Sequence, residues 1–345
     1  MNSHSSSICK TSLCCLLPLL VFSSSLLFPT LSASYVRCHP DDRKALLAIK
    51  KSLSLHIPKD ETPWNPKTDC CTWTYVDCSE ETNRVRILNI YETNFHHIPA
   101  AVGDLAYLEK LIFHHLATKI TGSIPYSITK LQNLKLLRIF NTTLSGPIPE
   151  FLTQLKNLEY LELSNNQLSG RIPASLANLN KLGGLDLGGN KLTGSIPNSF
   201  GRFNSQGGFF LYLSHNQLSG QIPKALGELN FTGIDLSYNK LVGDASMLFK
   251  ENGAALWIHL SNNQLDFDLS AVRFPKGLMV LDLSHNRIRG SIPEQITELN
   301  WQGLYLSDNR LCGNIPYGGN VQQQGEHAFI HNRCLCGPPL STKCK

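Results

Sequence analysis

The chain has 345 residues, 42% hydrophobic and 17% charged, with 31 Lys and Arg against 26 Asp and Glu for a formal net charge of +5. A surplus that small does not suggest a nucleic-acid binder, whose basic residues cluster on one face. Beyond residue 34 no stretch approaches the roughly 20 apolar residues of a membrane-spanning helix, so no stable membrane insertion is expected.

Residues 1–34 carry one charge, Lys10, then the apolar stretches 14–22 and 26–28, and end on the small residues Ser32, Ala33 and Ser34. This pattern predicts a secretory signal peptide over 1–34. Cys9, Cys14 and Cys15 leave with it. The other eight cysteines form two groups, Cys38, Cys70, Cys71 and Cys78, then Cys312, Cys334, Cys336 and Cys344. An even count in a secreted chain reads as disulfides at the two ends. Cys70 and Cys71 are adjacent and poor partners for each other, which favours Cys38 with Cys70 and Cys71 with Cys78; order alone leaves other pairings open. Zinc is the competing use, but no C-x-x-C or C-x-x-H pair is present, so no metal or other cofactor is expected.

Residues 35–84 form an N-terminal cap. Asp41 and Asp42 precede RKALLAIKKSL (43–53), which predicts a helix with acidic residues at its positive end and Ala45, Leu46, Ile49 and Leu53 on one side. Trp64 and Trp73 are read as packing beneath this cap.

Residues 85–311 are repetitive. Seven phrases related to LSNNQLSGRIP (163–173) place Asn166, Asn190, Asn216, Asn239, Asn263, Asn286 and Asn309 between 23 and 26 residues apart. Such a period means stacked units that cannot bury an apolar face alone. Counting back, a strand pattern xxLxLxx recurs ten times, from 86–92 to 302–308, with the first three repeats degenerate. The predicted fold is an α/β solenoid, a right-handed leucine-rich repeat superhelix. It has a long concave parallel β-sheet of roughly 45 to 50 Å, a helical or 3-10 convex side, and disulfide-bonded caps, the second over 312–345. The ladder asparagines are structural, satisfying backbone groups with both ends of the amide. In G-x-I-P, glycine eases a turn and proline fixes φ. Asn141 and Asn230 begin N-x-T sequons and are expected to carry glycans.

Strand alternation turns the second, fourth and sixth positions outward. Glu162, Asp186, Asp235 and Asp282 then make an acidic line, while Lys110 and Arg138 make the N-terminal end basic. Tyr91, Phe140, Tyr160, Phe210, Tyr212, Trp257 and Tyr305 put rings on the same face. Aromatic side chains beside charges are the composition of a protein-binding hot spot; the alternative is that some rings only cover neighbouring strands. Glu162 and Asp186 fall on adjacent predicted strands, a placement that would allow the ~5 Å carboxyl separation used by retaining glycosidases, but nothing in the sequence closes a pocket around them, and no catalytic residue is assigned. His114 and His115 are read as exposed loop-edge residues.

The repeat form L-x-x-N-x-L-x-G-x-I-P resembles the plant-specific leucine-rich repeats. The start CHPDDRKALLAIKKSL (38–53), DCCTW (69–73), IDLSYNKLVGDAS (234–246), LSNNQLDFDLS (260–270) and the ending HNRCLCGPPLSTKCK (331–345) together resemble the polygalacturonase-inhibiting proteins of plant cell walls. The resemblance covers the whole chain after the leader. It implies a non-enzymatic, secreted apoplastic defence protein that binds fungal, and in some cases insect, endopolygalacturonases through its concave face. The matching acidic positions are Glu162, Asp186, Asp235 and Asp282, which would meet basic residues at the enzyme's cleft. It also implies sequential pairing, Cys38 to Cys70, Cys71 to Cys78, Cys312 to Cys334 and Cys336 to Cys344, and pectin contact at Lys110 and Arg138. The chain departs from the family pattern in a short first repeat and in an eighth repeat carrying Leu256, Trp257 and His259. A scaffold or co-receptor for a peptide or receptor ectodomain would use the same face. Adsorption to ice or pectin would use a regular array, which rings and charges inside the sheet do not offer.

Overall fold

The computed structural model describes residues 38–54, 64–91, 94–95, 97–114, 122–204 and 206–344. The expected leader at 1–34 lies outside the described residues, as do His115 and Ser205. Residues 36–345 form one compact unit.

An α-helix spans Pro40–Lys51, acidic in its first turn and basic in its last, and buries Asp42, Ala45, Leu46 and Ile49. Leu53 is not part of it: Leu53–Ser54 is a short strand paired with Asn94–Phe95. Asp42 does more than meet the helix dipole. Fully buried, it takes Arg84 Nε at 2.9 Å and Nη2 at 2.7 Å and the backbone N–H of Val85 at 2.8 Å. A buried carboxylate persists only when paired and hydrogen-bonded, so this contact ties the cap helix to the first strand. Trp64 and Trp73 stack at 5.5 Å beneath it.

Ten parallel strands follow as expected, Val85–Tyr91, Lys110–His114, Leu136–Phe140, Tyr160–Glu162, Gly184–Asp186, Phe209–Tyr212, Phe231–Asp235, Trp257–His259, Val280–Asp282 and Gly303–Tyr305. An eleventh, Val76–Cys78, pairs antiparallel with the first and covers an edge that would otherwise invite pairing with another chain. Disulfides Cys38–Cys70 and Cys71–Cys78 hold the N-terminal end, and Cys312–Cys334 and Cys336–Cys344 the C-terminal end.

The ladder asparagines join coil to coil. Asn190 Nδ2 donates to Leu163 O of the preceding coil and to Leu187 O and Gly188 O of its own, and its Oδ1 accepts from Leu168 N. The ladder extends one step beyond the sequence pattern: Asn332 donates to Leu306 O and accepts from Leu311 N. It escaped notice because no L-x-L motif precedes it.

On the convex side every helix among the described residues is 3-10, for example Ala174–Asn178 and Lys224–Glu228. Each of these follows a proline whose carbonyl accepts the first turn's hydrogen bond, as Pro173 does from Leu176 N at 3.2 Å. Where Ile-Pro is missing, the turns shrink to Ser246–Leu248 and Leu269–Ala271. The segments after each ladder asparagine are more than turns. Ser145–Pro147, Gln167–Arg171, Lys191–Gly194, Gln217–Gln221, Lys240–Gly243 and Gln264–Leu265 form a second sheet, parallel throughout. Glycine hid it from a pattern-based reading, yet glycine makes it: Gly170 at φ +81° takes a conformation costly to other residues.

Candidate partner-binding face

The main sheet sets its outward residues in straight rows, because neighbouring strands pair without slippage at these positions. One row runs Arg138, Glu162, Asp186, Tyr212, Asp235, His259, Asp282, Tyr305, each opposite the next. A second runs Lys110, Leu136, Tyr160, Gly184, Phe210, Gly233, Trp257, Val280, Gly303 over the same strands. The structure thus brings nearly all the expected face residues together. Leu256 is one position out of alternation and sits at the strand entry, its Cδ2 3.7 Å from where a Cβ on Gly277 would lie.

The acidic line is not uniform. Glu162 is only 6% exposed, and its carboxylate accepts Arg138 Nε at 2.5 Å and Ser164 Oγ at 3.0 Å. Its charge is spent inside the sheet. Asp186, Asp235 and Asp282 instead bond to the next residue but one: Gly188 N, Ser237 N and Oγ, and Ser284 N and Oγ. These contacts fix the carboxylates while leaving them on the face. Burial pushes the Asp186 carboxyl up to about 6, opposed by the Gly188 N–H and aided by the charge of Glu162. Burial also raises the phenols of Tyr160 and Tyr212. Of this pair only Glu162 is held by an arginine, while Asp186 lines an open recess with Tyr212 and Asp235.

Glycines explain how the rings lie. A Cβ on Gly184 would fall 2.5 Å from Tyr160 Cδ2, one on Gly233 2.1 Å from Trp257 Cε2, and one on Gly303 3.0 Å from Tyr305 Cε2. Each ring lies across a glycine of its own or the neighbouring strand. Trp257 stacks on Phe210 at 5.7 Å across the gap left by Gly233. Covering a strand and offering a surface are the same act here: Tyr305 remains 41% exposed, and Trp257 and Phe210 are half-buried.

At the N-terminal end the sixth positions hold a stack, Tyr91 on His114 at 5.3 Å and His114 on Phe140 at 5.0 Å, with Tyr75 edge-on to Tyr91. His114 belongs to a strand and is half-buried, which corrects the loop-edge reading; period-2 alternation placed it on this face. In later coils the row is serine or glycine. Among the described residues one Cys, Asp and Cys group is close enough to hold a metal, Cys38, Asp69 and Cys71, but both sulfurs are in disulfides. No helix among the described residues is long and apolar enough to cross a membrane.

A regular coil with capped ends and an open concave face of rings and carboxylates defines a leucine-rich repeat protein. A family model for a leucine-rich repeat region matches residues 74–204, another for the leucine-rich repeat N-terminal domain matches 39–79, and single repeats match at 210–229 and 277–299. The chain is 56% identical to polygalacturonase inhibitor 1 of Arabidopsis thaliana, over 97% of this chain and 99% of that one. It is 54% identical to a polygalacturonase inhibitor of Vitis vinifera, over 95% and 98%. The crystal structure of a plant ice-binding protein superposes with a TM-score of 0.85 at 43% identity, covering 90% of this chain and 99% of that one. The chain belongs to the polygalacturonase inhibitor family. It is a non-enzymatic leucine-rich repeat protein.

Proposed function

We propose that this protein is secreted to the plant cell wall after loss of residues 1–34 and there binds and inhibits endopolygalacturonases of fungi, and of insects as a lesser class. The observation that carries this reading is the row Asp186, Tyr212, Asp235, His259, Asp282, Tyr305 in register on consecutive strands, beside the ring belt of Tyr160, Phe210 and Trp257. An enzyme that cuts a polyanion must line its cleft with cations, and this row is complementary to such a cleft. The rings supply the buried contact area that carries affinity. Inhibition follows when a protein covers the cleft and the polysaccharide cannot enter. The cap, repeat and cap division at 35–84, 85–311 and 312–345 belongs to the same reading, with the repeats as the working part.

Lys110 is exposed, whereas Arg138 is engaged by Glu162, so we assign a contact with homogalacturonan to Lys110 rather than Arg138. Glycans at Asn141, exposed at the end of its strand, and at Asn230, whose Oδ1 accepts from Ala254 N at 3.1 Å, would flank the face.

The test is a reducing-sugar assay of polygalacturonan hydrolysis by a panel of fungal endopolygalacturonases, with and without the purified protein. Inhibition of any panel member supports the reading. If a broad panel is untouched while an endogenous receptor ectodomain is captured from apoplastic fluid, the face serves as a scaffold, with Trp257 and His259 as its altered part.

A further inference from the structure

We propose that the outer face of the cap helix, where Arg43, Lys44 and Lys51 stand around Leu47 and Ala48, is a binding site for a small amphipathic carboxylate, an alkyl acid of fatty-acid type. The helix Pro40–Lys51 buries Ala45, Leu46 and Ile49. Its other face should be polar throughout, yet Leu47 is only half-buried and Ala48 is exposed. With Pro66, from the loop that follows Trp64, they line a recess of about 720 Å3, within the size range of ligand clefts. Its walls are fixed before any ligand arrives: Cys38 is in a disulfide with Cys70, and Lys50 Nζ donates to Trp64 O.

The charges around this recess have one sign. Arg43, Lys44, Lys50 and Lys51 line it and no acidic side chain does. Asp41, on the same helix, lies 3.7 Å from His39 Nδ1, and Asp42 is taken by Arg84. Arg43, Lys44 and Lys51 are in no ion pair among the described residues. From Arg43 to Lys51 the cations extend about 12 Å along the helix, beside an apolar strip at i, i+4 spacing. A cationic face kept for solvation needs no apolar floor, and an apolar floor needs no cations. The two together match a ligand whose chain lies on Leu47, Ala48 and Pro66 and whose carboxylate meets the Arg43 guanidinium, a fork suited to that group. A polyuronate would satisfy the cations but set hydroxyl groups against the floor. The site shares no residue with the concave face and depends on no property of a partner enzyme.

The test titrates sodium decanoate, below its micelle concentration, and its neutral counterpart decanamide into the full secreted chain at neutral pH, by calorimetry with no enzyme present. One equivalent of decanoate is expected to bind, roughly tenfold or more tighter than decanamide. Arg43→Gln/Lys44→Gln keeps good helix formers at both positions. It should weaken decanoate roughly tenfold or more and leave decanamide as it was, whereas Leu47→Gln should weaken both. Lys110→Gln, on a strand outside the recess, should change nothing. Thermal melting of each variant without ligand reports whether it folds. A wild-type chain that binds neither compound, or both equally, overturns the site, as does an Arg43→Gln/Lys44→Gln variant that binds decanoate like the wild type. Retention on polygalacturonate through Arg43 and Lys44 without decanoate binding would place a polysaccharide there and overturn it too.

Discussion

Arg138 Nε lies 2.5 Å from Glu162 Oε2, on neighbouring strands in direct register. That pair divides the concave face: cations and a ring stack on its N-terminal side, ionisable carboxylates on the other. Glu162 is nearly buried and Arg138 about a third exposed, so removing the arginine leaves a carboxylate without its partner in a poorly hydrated place. Arg138→Met should cost about 2 kcal/mol, a value reduced for the exposed guanidinium, while Arg138→Met/Glu162→Leu should recover most of it. Urea unfolding checks both; equal losses in the single and double variants would show that packing, not charge, holds the site.

The glycines beneath the rings make a sharper case. Gly233→Ala puts a methyl 2.1 Å from Trp257 Cε2, so the indole must leave its place on Phe210. Overpacking of this kind costs about 1–3 kcal/mol, and partner affinity should fall with the loss of a preformed anchor. Gly207→Ala has nothing within 4 Å of the new methyl and should be silent in both. Tryptophan fluorescence and inhibition titrations report the two effects separately. Unchanged inhibition in Gly233→Ala would remove Trp257 from the binding face.

Asn190→Ala strips three buried carbonyls of a donor and Leu168 N of an acceptor. The expected cost is about 2–3 kcal/mol. Because each coil touches only its neighbours, hydrogen-exchange protection should drop in Tyr160–Glu162, Gly184–Asp186 and Phe209–Tyr212 and hold in Val280–Asp282. A uniform loss along the chain would contradict nearest-neighbour coupling.

The rows on the face were legible because strand alternation is strict and the repeat spacing set the phase. Apart from His114, expected at a loop edge but standing in a strand, and Leu256, one position out of alternation, the outward residues from Ile87 to Tyr305 follow from alternation alone. Which carboxylates stay available was not legible, since Glu162 and Asp186 have the same residue class and strand position. Their difference comes from what stands on the preceding strand, an arginine for one and another carboxylate for the other. The second sheet was hidden because its glycines at left-handed φ break alternation while keeping backbone pairing. Asp42 looked like a helix-dipole residue because Arg84 is 42 residues away in sequence.

Asp235 has a simpler environment than Asp186 and tests complementarity alone. Asp235→Lys places a cation between Tyr212 and His259 in the row and opposes a basic cleft. Association with an inhibited endopolygalacturonase should slow, and affinity should fall by roughly ten- to a hundredfold. Raised salt should narrow the gap to wild type. A variant of unchanged potency at low salt would remove the acidic row from the mechanism.

Asp186 should couple binding to pH with a definite sign. Its folded pKa of about 6 stands above the ordinary 3.8, so the fold disfavours the ionised form. In the free protein this carboxyl's contribution to stability is fully present below about pH 4 and is lost as pH rises through about 6. A cation from the partner reverses the preference, because it favours the carboxylate. Affinity should therefore rise with pH up to about 6 and then level off, being about tenfold lower near pH 5 than above the transition if the complex holds Asp186 fully ionised. The partner enzyme titrates as well, so the informative quantity is the ratio of wild-type to Asp186→Asn affinity at each pH, in which the partner's own groups cancel. That ratio should climb between about pH 5 and 6.5, while the stability difference between the two free proteins moves the opposite way over the same window. A ratio flat across the window would mean that no partner cation approaches Asp186, and the contact would have to lie further along the row, at Asp235 and Asp282.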